Sequence, residues 1–519
     1  MAIIDFFDRG WRINPTGAAY IQDDRSHSFN EVGEKSCRIA NALLAAGLVA
    51  GTKGAVWAGN DVTAWICTLG LWRANMCWIP VGARNPAEEN RYVLDAFDCE
   101  VLFFQRQFAE VIGTLRPQLP KIRQWICIDA DLPDAMSLER WCGERSATDP
   151  RVQHDADDTI ALMPTGGTTG RPKGVMNTHR SFQTFVAHFT MATPYPAGLP
   201  IMNLAAAPMT HTSGVLSMPC TARGGTVVIV SKADPELLLA AIAKHGVTEL
   251  FLPPTVIYRL LEIPDLDKRG DFSSLRYLIY GAAPMSVEKL KQAIEAFGPV
   301  MMGGYGQTEA PGSISFLSPG EHFVGGKLAS DGRLSSVGRP SPLNRVEIVN
   351  DANEILPVGE TGEICLRGDL LMKGYYKAAD KTAETIVNGW LHTGDIGHFD
   401  QEGYLHITDR KKDMIISGGF NVYPSEVEQV IWSHPAVQDC AVIGVPDDKW
   451  GEAVKAVVEL NSGQRVEADE LIALCKEKLG PIKAPKSVEF TGMLPRSPVG
   501  KVLKKDLRAQ YWQNTDRKI

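Results

Sequence analysis

A chain of 519 residues, 44% hydrophobic, 22% charged and 8% aromatic, is too long for one compact core and suits several domains of roughly 100–200 residues each. That composition excludes a disordered chain, a collagen and a coiled coil. The formal net charge of -8, from 53 Lys+Arg against 61 Asp+Glu, excludes a global basic field for nucleic acid, so an anionic ligand must be held by local cations and backbone N–H dipoles.

Residues 1–15 carry Asp5 and Asp8 and no basic segment followed by an apolar run, so no secretory leader is expected. Residues 62–81 are the most apolar stretch, but Arg73 and Asn75 interrupt it. A membrane span needs ~20 mostly apolar residues, and this stretch is read instead as a buried helix followed by a strand. The ten cysteines are scattered with no C-x-x-C pair, the pattern of buried thiols in a reducing compartment rather than of disulfides or a zinc site. The last three residues are not the S-K-L peroxisomal address. The expectation is a soluble, cytoplasmic protein with no transmembrane segment; the oligomeric state stays open, a homodimer included.

The apolar run 160–163 leads into Thr165-Gly166-Gly167-Thr168-Thr169-Gly170-Arg171-Pro172-Lys173-Gly174. Four glycines let N–H groups turn inward on an anion, three threonines add hydroxyl donors, and Arg171 and Lys173 add charge. This suits a phosphate cradle, yet it is no Walker A loop, because Arg171-Pro172 separates Gly170 from Lys173. Strands are predicted over 226–230, 249–252 and 277–280. A helix is predicted from Pro284, with Val287, Leu290, Ile294 and Phe297 on one apolar face. Such alternation argues for α/β layers.

Around residue 340 short alternating runs, 346–349 and 363–366, suggest a small β-rich subdomain. The charged run 409–413 then separates two self-contained patterns. After it come a predicted helix from Pro424, a strand at 441–443 and a helix over 468–479. The predicted class is α/β: a large N-terminal domain of layered α/β subdomains plus a β-rich subdomain over 1–408, a hinge at 409–413, and a small, mobile α+β domain over 414–519.

Further motifs follow the glycine-rich loop in a fixed order: Tyr305-Gly306-Gln307-Thr308-Glu309, Trp390-Leu391-His392-Thr393-Gly394-Asp395, a segment from Asp409 to Glu428 containing Ser417-Gly418-Gly419, and Pro495 through Lys501. With these five motifs the chain resembles the adenylate-forming superfamily, specifically its acyl- and aryl-CoA ligases, over essentially its whole length. The resemblance implies an ATP-dependent, Mg2+-assisted enzyme that joins a small-molecule carboxylic acid to coenzyme A through an acyl-adenylate.

Each motif has a physical role under that reading. Tyr305 offers a flat ring for a purine, Thr308 a hydroxyl for the α-phosphate, and Glu309 a hard oxygen ligand for Mg2+. Gly281-Ala282-Ala283 lets backbone approach the base, and Gly304 and Gly306 flank the same site. Asp395, placed in a glycine turn, would accept hydrogen bonds from the ribose hydroxyls with Arg410 assisting. Lys501 would neutralise charge building between the attacking carboxylate and the α-phosphate. By motif position Lys412 would be the pivot of the small domain. Ser417, Gly418, Gly419 and Trp450 would line a pantetheine tunnel, with Lys483 and Lys486 near the CoA phosphates; Ala484 stands where some relatives carry arginine. Gly166 stands where many relatives have serine, which removes one phosphate donor.

The segment 208–214 is the expected acid pocket, with His211 bordering the substrate carboxylate or serving as a core histidine. Thr212, Ser213, Gly303, Pro311 and Gly312 complete it. Residues 209–214 hold no aspartate for an ammonium group, which disfavours an α-amino acid and favours a plain hydrophobic acid. The small residues Gly281, Ala282, Gly303, Gly304 and Gly312 suggest room for a bulky or long acyl group, fatty or aryl. A second reading keeps adenylation but hands the acyl group to an amine or a carrier-protein thiol.

Overall fold

The computed structural model describes residues 1–165, 171–447, 449–496 and 502–512. Among these residues the strands gather mainly into sheets of eight, nine, five and five strands. The eight-stranded sheet has a parallel centre of Lys53–Trp57, Cys77–Pro80 and Cys99–Phe104. At one side it ends in an antiparallel pair, Thr159–Thr165 with Lys173–Thr178, edged by Gly374–Tyr375. The nine-stranded sheet is parallel from Ala18–Gln22 through Thr226–Ile229, Met202–Ala205, Glu249–Leu252, Tyr277–Gly281 and Met301–Gln307. It turns antiparallel where Met301–Gln307 meets Ala310–Leu317. Each sheet thus contains an antiparallel pair near one side, the first reaching Thr165 opposite Lys173 and the second joined at the Thr308-Glu309 turn.

Helices pack between the two sheets in one core that holds Ala161 and Val175 of the first and Val227, Ile279 and Met302 of the second. The segment predicted as helix and strand is the helix Val62–Arg73 and the strand Cys77–Pro80. The helix is buried on every face, and Asp61 caps it by accepting the Ala64 N–H at 2.9 Å. Its Trp65 and Trp72 meet Trp78 edge-on, with ring centroids 5.4–6.0 Å apart. Arg73 interrupts the apolar run at little cost because Asp8 pairs with it at 2.5 Å.

The helix expected from Pro284 begins later, as Val287–Phe297, because Ser286 supplies the cap. Its buried face is Leu290, Ala293, Ile294 and Phe297, with Val287 at the margin. All ten cysteines are buried and free. No helix among the described residues is long and apolar enough to cross a membrane.

The β-rich part is a five-stranded sheet containing Asn344–Val349, Gly362–Gly368, Trp390–Phe399 and Leu405–Arg410. Ile415–Ser417 already belongs to the last sheet, built on the long hairpin Val437–Asp447 and Gly451–Leu460. Asp409 and Arg410 are therefore strand residues paired with Ile396 and Asp395. The helix predicted over 468–479 extends as Ala468–Lys483 through a break at Gly480, whose φ of 81° ends the first helical run. Gln429 Nε2 donates to Met285 O at 3.3 Å, and Gln438 Nε2 donates to Glu262 Oε1 at 3.0 Å, joining the last domain to the larger body.

Candidate active site

Tyr305 lies within the glycine-rich strand Met301–Gln307, and its hydroxyl donates to Asp395 Oδ2 at 2.7 Å. Arg410 Nε lies 3.1 Å from the other oxygen, Oδ1. The two partners arrive from different elements: residues 395 and 410 face each other across neighbouring antiparallel strands, whereas Tyr305 comes from the nine-stranded sheet. Asp395 was expected in a glycine turn. It lies instead within the ten-residue strand Trp390–Phe399, next to Gly394 with φ 71°, and its own N–H donates to Thr393 Oγ1 at 3.0 Å. Burial, followed by the Asp395 charge, pushes the Tyr305 hydroxyl far above its ordinary pKa, so it stays a donor at any working pH.

Glu309 sits in the tight turn between Met301–Gln307 and Ala310–Leu317. Tyr375 Oη donates to its Oε1 at 2.8 Å, and Lys173 Nζ stands 4.9 Å from the Tyr375 ring centre. The turn is tied further by Met372 N–H donating to Glu309 O at 2.8 Å and by Asn177 Nδ2 donating to Thr308 O at 3.4 Å. Tyr375 thus brings together the cation after the glycine-rich loop and the expected metal ligand. A hollow of about 370 Å³ is lined by Thr393, Gly394, Arg410, Lys411 and Lys412, beside the Asp395–Arg410 pair.

The predicted small residues serve close backbone packing. A Cβ on Gly281 would fall 2.5 Å from Gly304 O, and one on Gly306 would fall 2.6 Å from Gly312 Cα. One on Gly303 would lie 3.0 Å from Tyr280 Oη, and one on Gly312, 3.1 Å from the Phe185 ring. Tyr280 and Phe185 thus stand directly against Gly303 and Gly312. Ala282, which follows Gly281, has φ 67°, a strained conformation for a residue with a Cβ. Ala283 is half-buried beside it.

Met209–Ser213 forms a π-helical turn with Ser213 buried, and the Met209 N–H donates to Asn60 Oδ1 at 2.8 Å. The side chains of His211 and Thr212 lie outside the described residues. Pro311 O accepts from Ser313 Oγ at 3.1 Å. Gly166, Gly167, Thr168, Thr169, Gly170 and Lys501 also lie outside the described residues, while Thr165 closes its strand opposite Lys173.

In the last domain, Ser417–Gly419 is a tight hairpin turn, with φ of 60° at Gly418 and 84° at Gly419, the left-handed values that favour glycine. The Gly418 N–H donates to Trp450 O at 2.8 Å, and a Cβ there would fall 2.4 Å from the Trp450 ring. Lys483, expected near the CoA phosphates, is paired with Glu426 at 2.5 Å. Lys449 and Lys486 instead stand 5.2 and 5.6 Å from the Trp450 ring centre.

A model of the AMP-binding enzyme family matches residues 7–376, and one of the AMP-binding enzyme C-terminal domain matches residues 426–501. The chain belongs to the AMP-binding enzyme family. It is an adenylate-forming enzyme of the acyl-CoA synthetase kind.

The medium/long-chain-fatty-acid–CoA ligase FadD8 of Mycobacterium tuberculosis is 40% identical over 370 residues, 70% of this chain; the match spans 63% of that protein's length. The feruloyl-CoA synthase of an Amycolatopsis species is 34% identical over 506 residues, 96% of this chain and 97% of that one. Among solved structures, the amide bond synthetase McbA from Marinactinospora thermotolerans superposes with a TM-score of 0.89 at 30% identity, covering 98% of this chain and all of the other. This AMP-binding enzyme therefore resembles ligases for aliphatic and for aryl acids, and also one that makes an amide bond.

Proposed function

We propose that this enzyme activates a hydrophobic carboxylic acid, fatty or aryl, with ATP and transfers the acyl group to coenzyme A. The observation that carries the reading is the pair of separately held carboxylates. Asp395 is gripped by Tyr305 and Arg410 for a ribose. Glu309 is steadied through one oxygen by Tyr375 beside Lys173. A rigid carboxylate with its second oxygen to offer fits Mg2+, and Glu309 would hold that ion, which when bound would neutralise phosphate charge.

In the first step an oxygen of the substrate carboxylate attacks the α-phosphorus. An acyl–O–P bond forms, the bond from the α-phosphorus to the bridging oxygen breaks, and pyrophosphate leaves. The chain supplies no nucleophile; the proposed roles are for Thr308 and Lys173 to orient the phosphates and for Lys501 to neutralise the charge that develops. In the second step the CoA sulfur attacks the acyl carbon, its proton passes to solvent, and AMP leaves. Lys412 is the proposed pivot between steps. Lys411 N–H donates to Gly394 O at 2.8 Å on the large body, whereas Asp413 pairs with Arg508 of the small domain.

The proposed setting is the cytoplasm, in keeping with ten buried thiols. The test is acid-dependent exchange of labelled pyrophosphate into ATP, run over aliphatic acids of graded length and a set of hydroxycinnamates. Exchange with one class names the substrate. Exchange with none contradicts the reading. Exchange without CoA thioester moves the acceptor to an amine or a carrier-protein thiol, the outcome the likeness to McbA would favour.

A further inference from the structure

Glu363 lies one strand away from Asp395, in Gly362–Gly368, outside the five sequence motifs described above. Its Oε1 accepts the Gly394 N–H at 3.0 Å. Its Oε2 is 3.3 Å from Lys411 Nζ and 3.3 Å from His392 Nδ1, which also lies 3.4 Å from Cys365 Sγ. One carboxylate thus holds the residue before Asp395 and the residue before Lys412. Lys411 has a second carboxylate, Asp351, at 3.0 Å. The Asp351 side chain is 93% exposed against 12% for Glu363, so solvent screens the Asp351 pair and leaves Glu363 to hold the lysine.

Lys411 is also fixed through its backbone, by the bond from its N–H to Gly394 O. On the far side of Lys412 the partner changes, and Asp413 meets Arg508; Asp409, on the near side, reaches across the pivot, its Oδ2 accepting from Ser425 N and Oγ at 2.8 and 3.1 Å, a contact that domain rotation must break. The chain from 392 to 395 and residues 410–411 therefore form one clamped block that ends at Lys412.

We infer that Glu363 is a positioning residue that locks Lys411 to the nucleotide-binding strand, so that domain rotation is confined to Lys412 and the ribose-binding carboxylate keeps its place while the small domain turns. The inference rests on the proposed reading of Lys412 as the pivot. Without the clamp, the flexible segment lengthens to include Lys411, and its motion reaches Gly394 and Asp395.

The test uses the full-length protein and no substrate acid. Trypsin cleavage after Lys412 is timed by mass spectrometry in Glu363→Gln, Lys411→Met, the double variant and Lys411→Arg, with cleavage after the exposed Lys327 as the internal control. Magnesium-ATP affinity is measured by calorimetry on the same proteins. The clamp predicts cleavage after Lys412 at least about five-fold faster in Glu363→Gln and in Lys411→Met, because the open form is populated more. The double variant should add nothing further, since one interaction is lost once. Lys411→Arg should restore the slow rate, and ATP should bind about three-fold more weakly only in the variants lacking the pair.

Unchanged cleavage after Lys412 in both single variants, or multiplying effects in the double variant, overturns the clamp, as does an equal rise at Lys327. The pivot reading fails separately: if the clamp signature appears while Lys412→Pro slows both half-reactions equally, Glu363 holds Lys411 but the rotation occurs elsewhere.

Discussion

At the scale of single residues, the site is two carboxylates whose partners come from distant parts of the chain. Tyr305→Phe keeps the ring and removes one hydrogen bond to a charged oxygen, a loss of about 1.5–3 kcal/mol. ATP affinity should therefore fall roughly ten-fold or more, read as KM for ATP, with the fold intact by circular dichroism. Tyr375→Phe should leave KM for the acid unchanged and raise the magnesium concentration needed for half-maximal rate, because Glu309 loses its Oε1 partner; an unchanged magnesium requirement contradicts the metal assignment. Asp395, Arg410, Tyr305 and Glu309 were legible because each sits in an ordered motif. Tyr375 and Glu363 were not: Tyr375 is 66 residues from the carboxylate it supports, and Glu363 reads as one more alternating strand residue until Gly394 and Lys411 are folded against it.

At the scale of elements, the helix His179–Ala192 joins the two halves of the site and carries a titration. Ile3 N–H donates to His179 Nδ1 at 3.0 Å, so Nε2–H faces Asn75 Oδ1 at 3.2 Å. Leu343 N–H donates to His188 Nε2 at 3.3 Å, so Nδ1–H faces Ser313 Oγ at 3.1 Å. Both rings are held neutral, and burial lowers His179 to about 3 and His188 to about 4. The unfolded chain, with histidines near 6.5, then binds more protons than the fold between pH 6.5 and about 4. Stability is full above that window and falls as pH drops through it, with a limiting slope of ~2.7 kcal/mol per pH unit for two protons. Urea denaturation across the window should show this decline, and His188→Gln should flatten it.

The Ser417–Gly419 turn makes a second prediction at this scale. Gly418→Ala must place a Cβ against Trp450 at a left-handed φ, so thioester formation from supplied acyl-adenylate should fall at least about ten-fold while pyrophosphate exchange persists. Element types were largely readable from periodicity; their ends were not, because a cap such as Ser286 or a break such as Gly480 decides them locally.

At the scale of the whole molecule, two α/β sheets share one core, and a smaller domain joins them through a clamped segment. The α/β class and the change of texture near residue 340 were legible from pattern. The sheet order was not: Ala18–Gln22 pairs with Thr226–Ile229, a partnership that tertiary packing selects. The pairing of Asp409 and Arg410 as strand residues likewise needed the neighbouring strand, since a charged run reads as a boundary in sequence.

The two-step account makes Lys501 serve only the first step: Lys501→Ala should lose pyrophosphate exchange by two orders of magnitude or more and still convert supplied acyl-adenylate to thioester. The most direct test of the central claim is the stoichiometry of products from purified enzyme, ATP, Mg2+, CoA and the acid that supports exchange. The account predicts one AMP, one pyrophosphate and one acyl-CoA per ATP consumed. ADP as the nucleotide product, or AMP formed with no acyl-CoA, would contradict it.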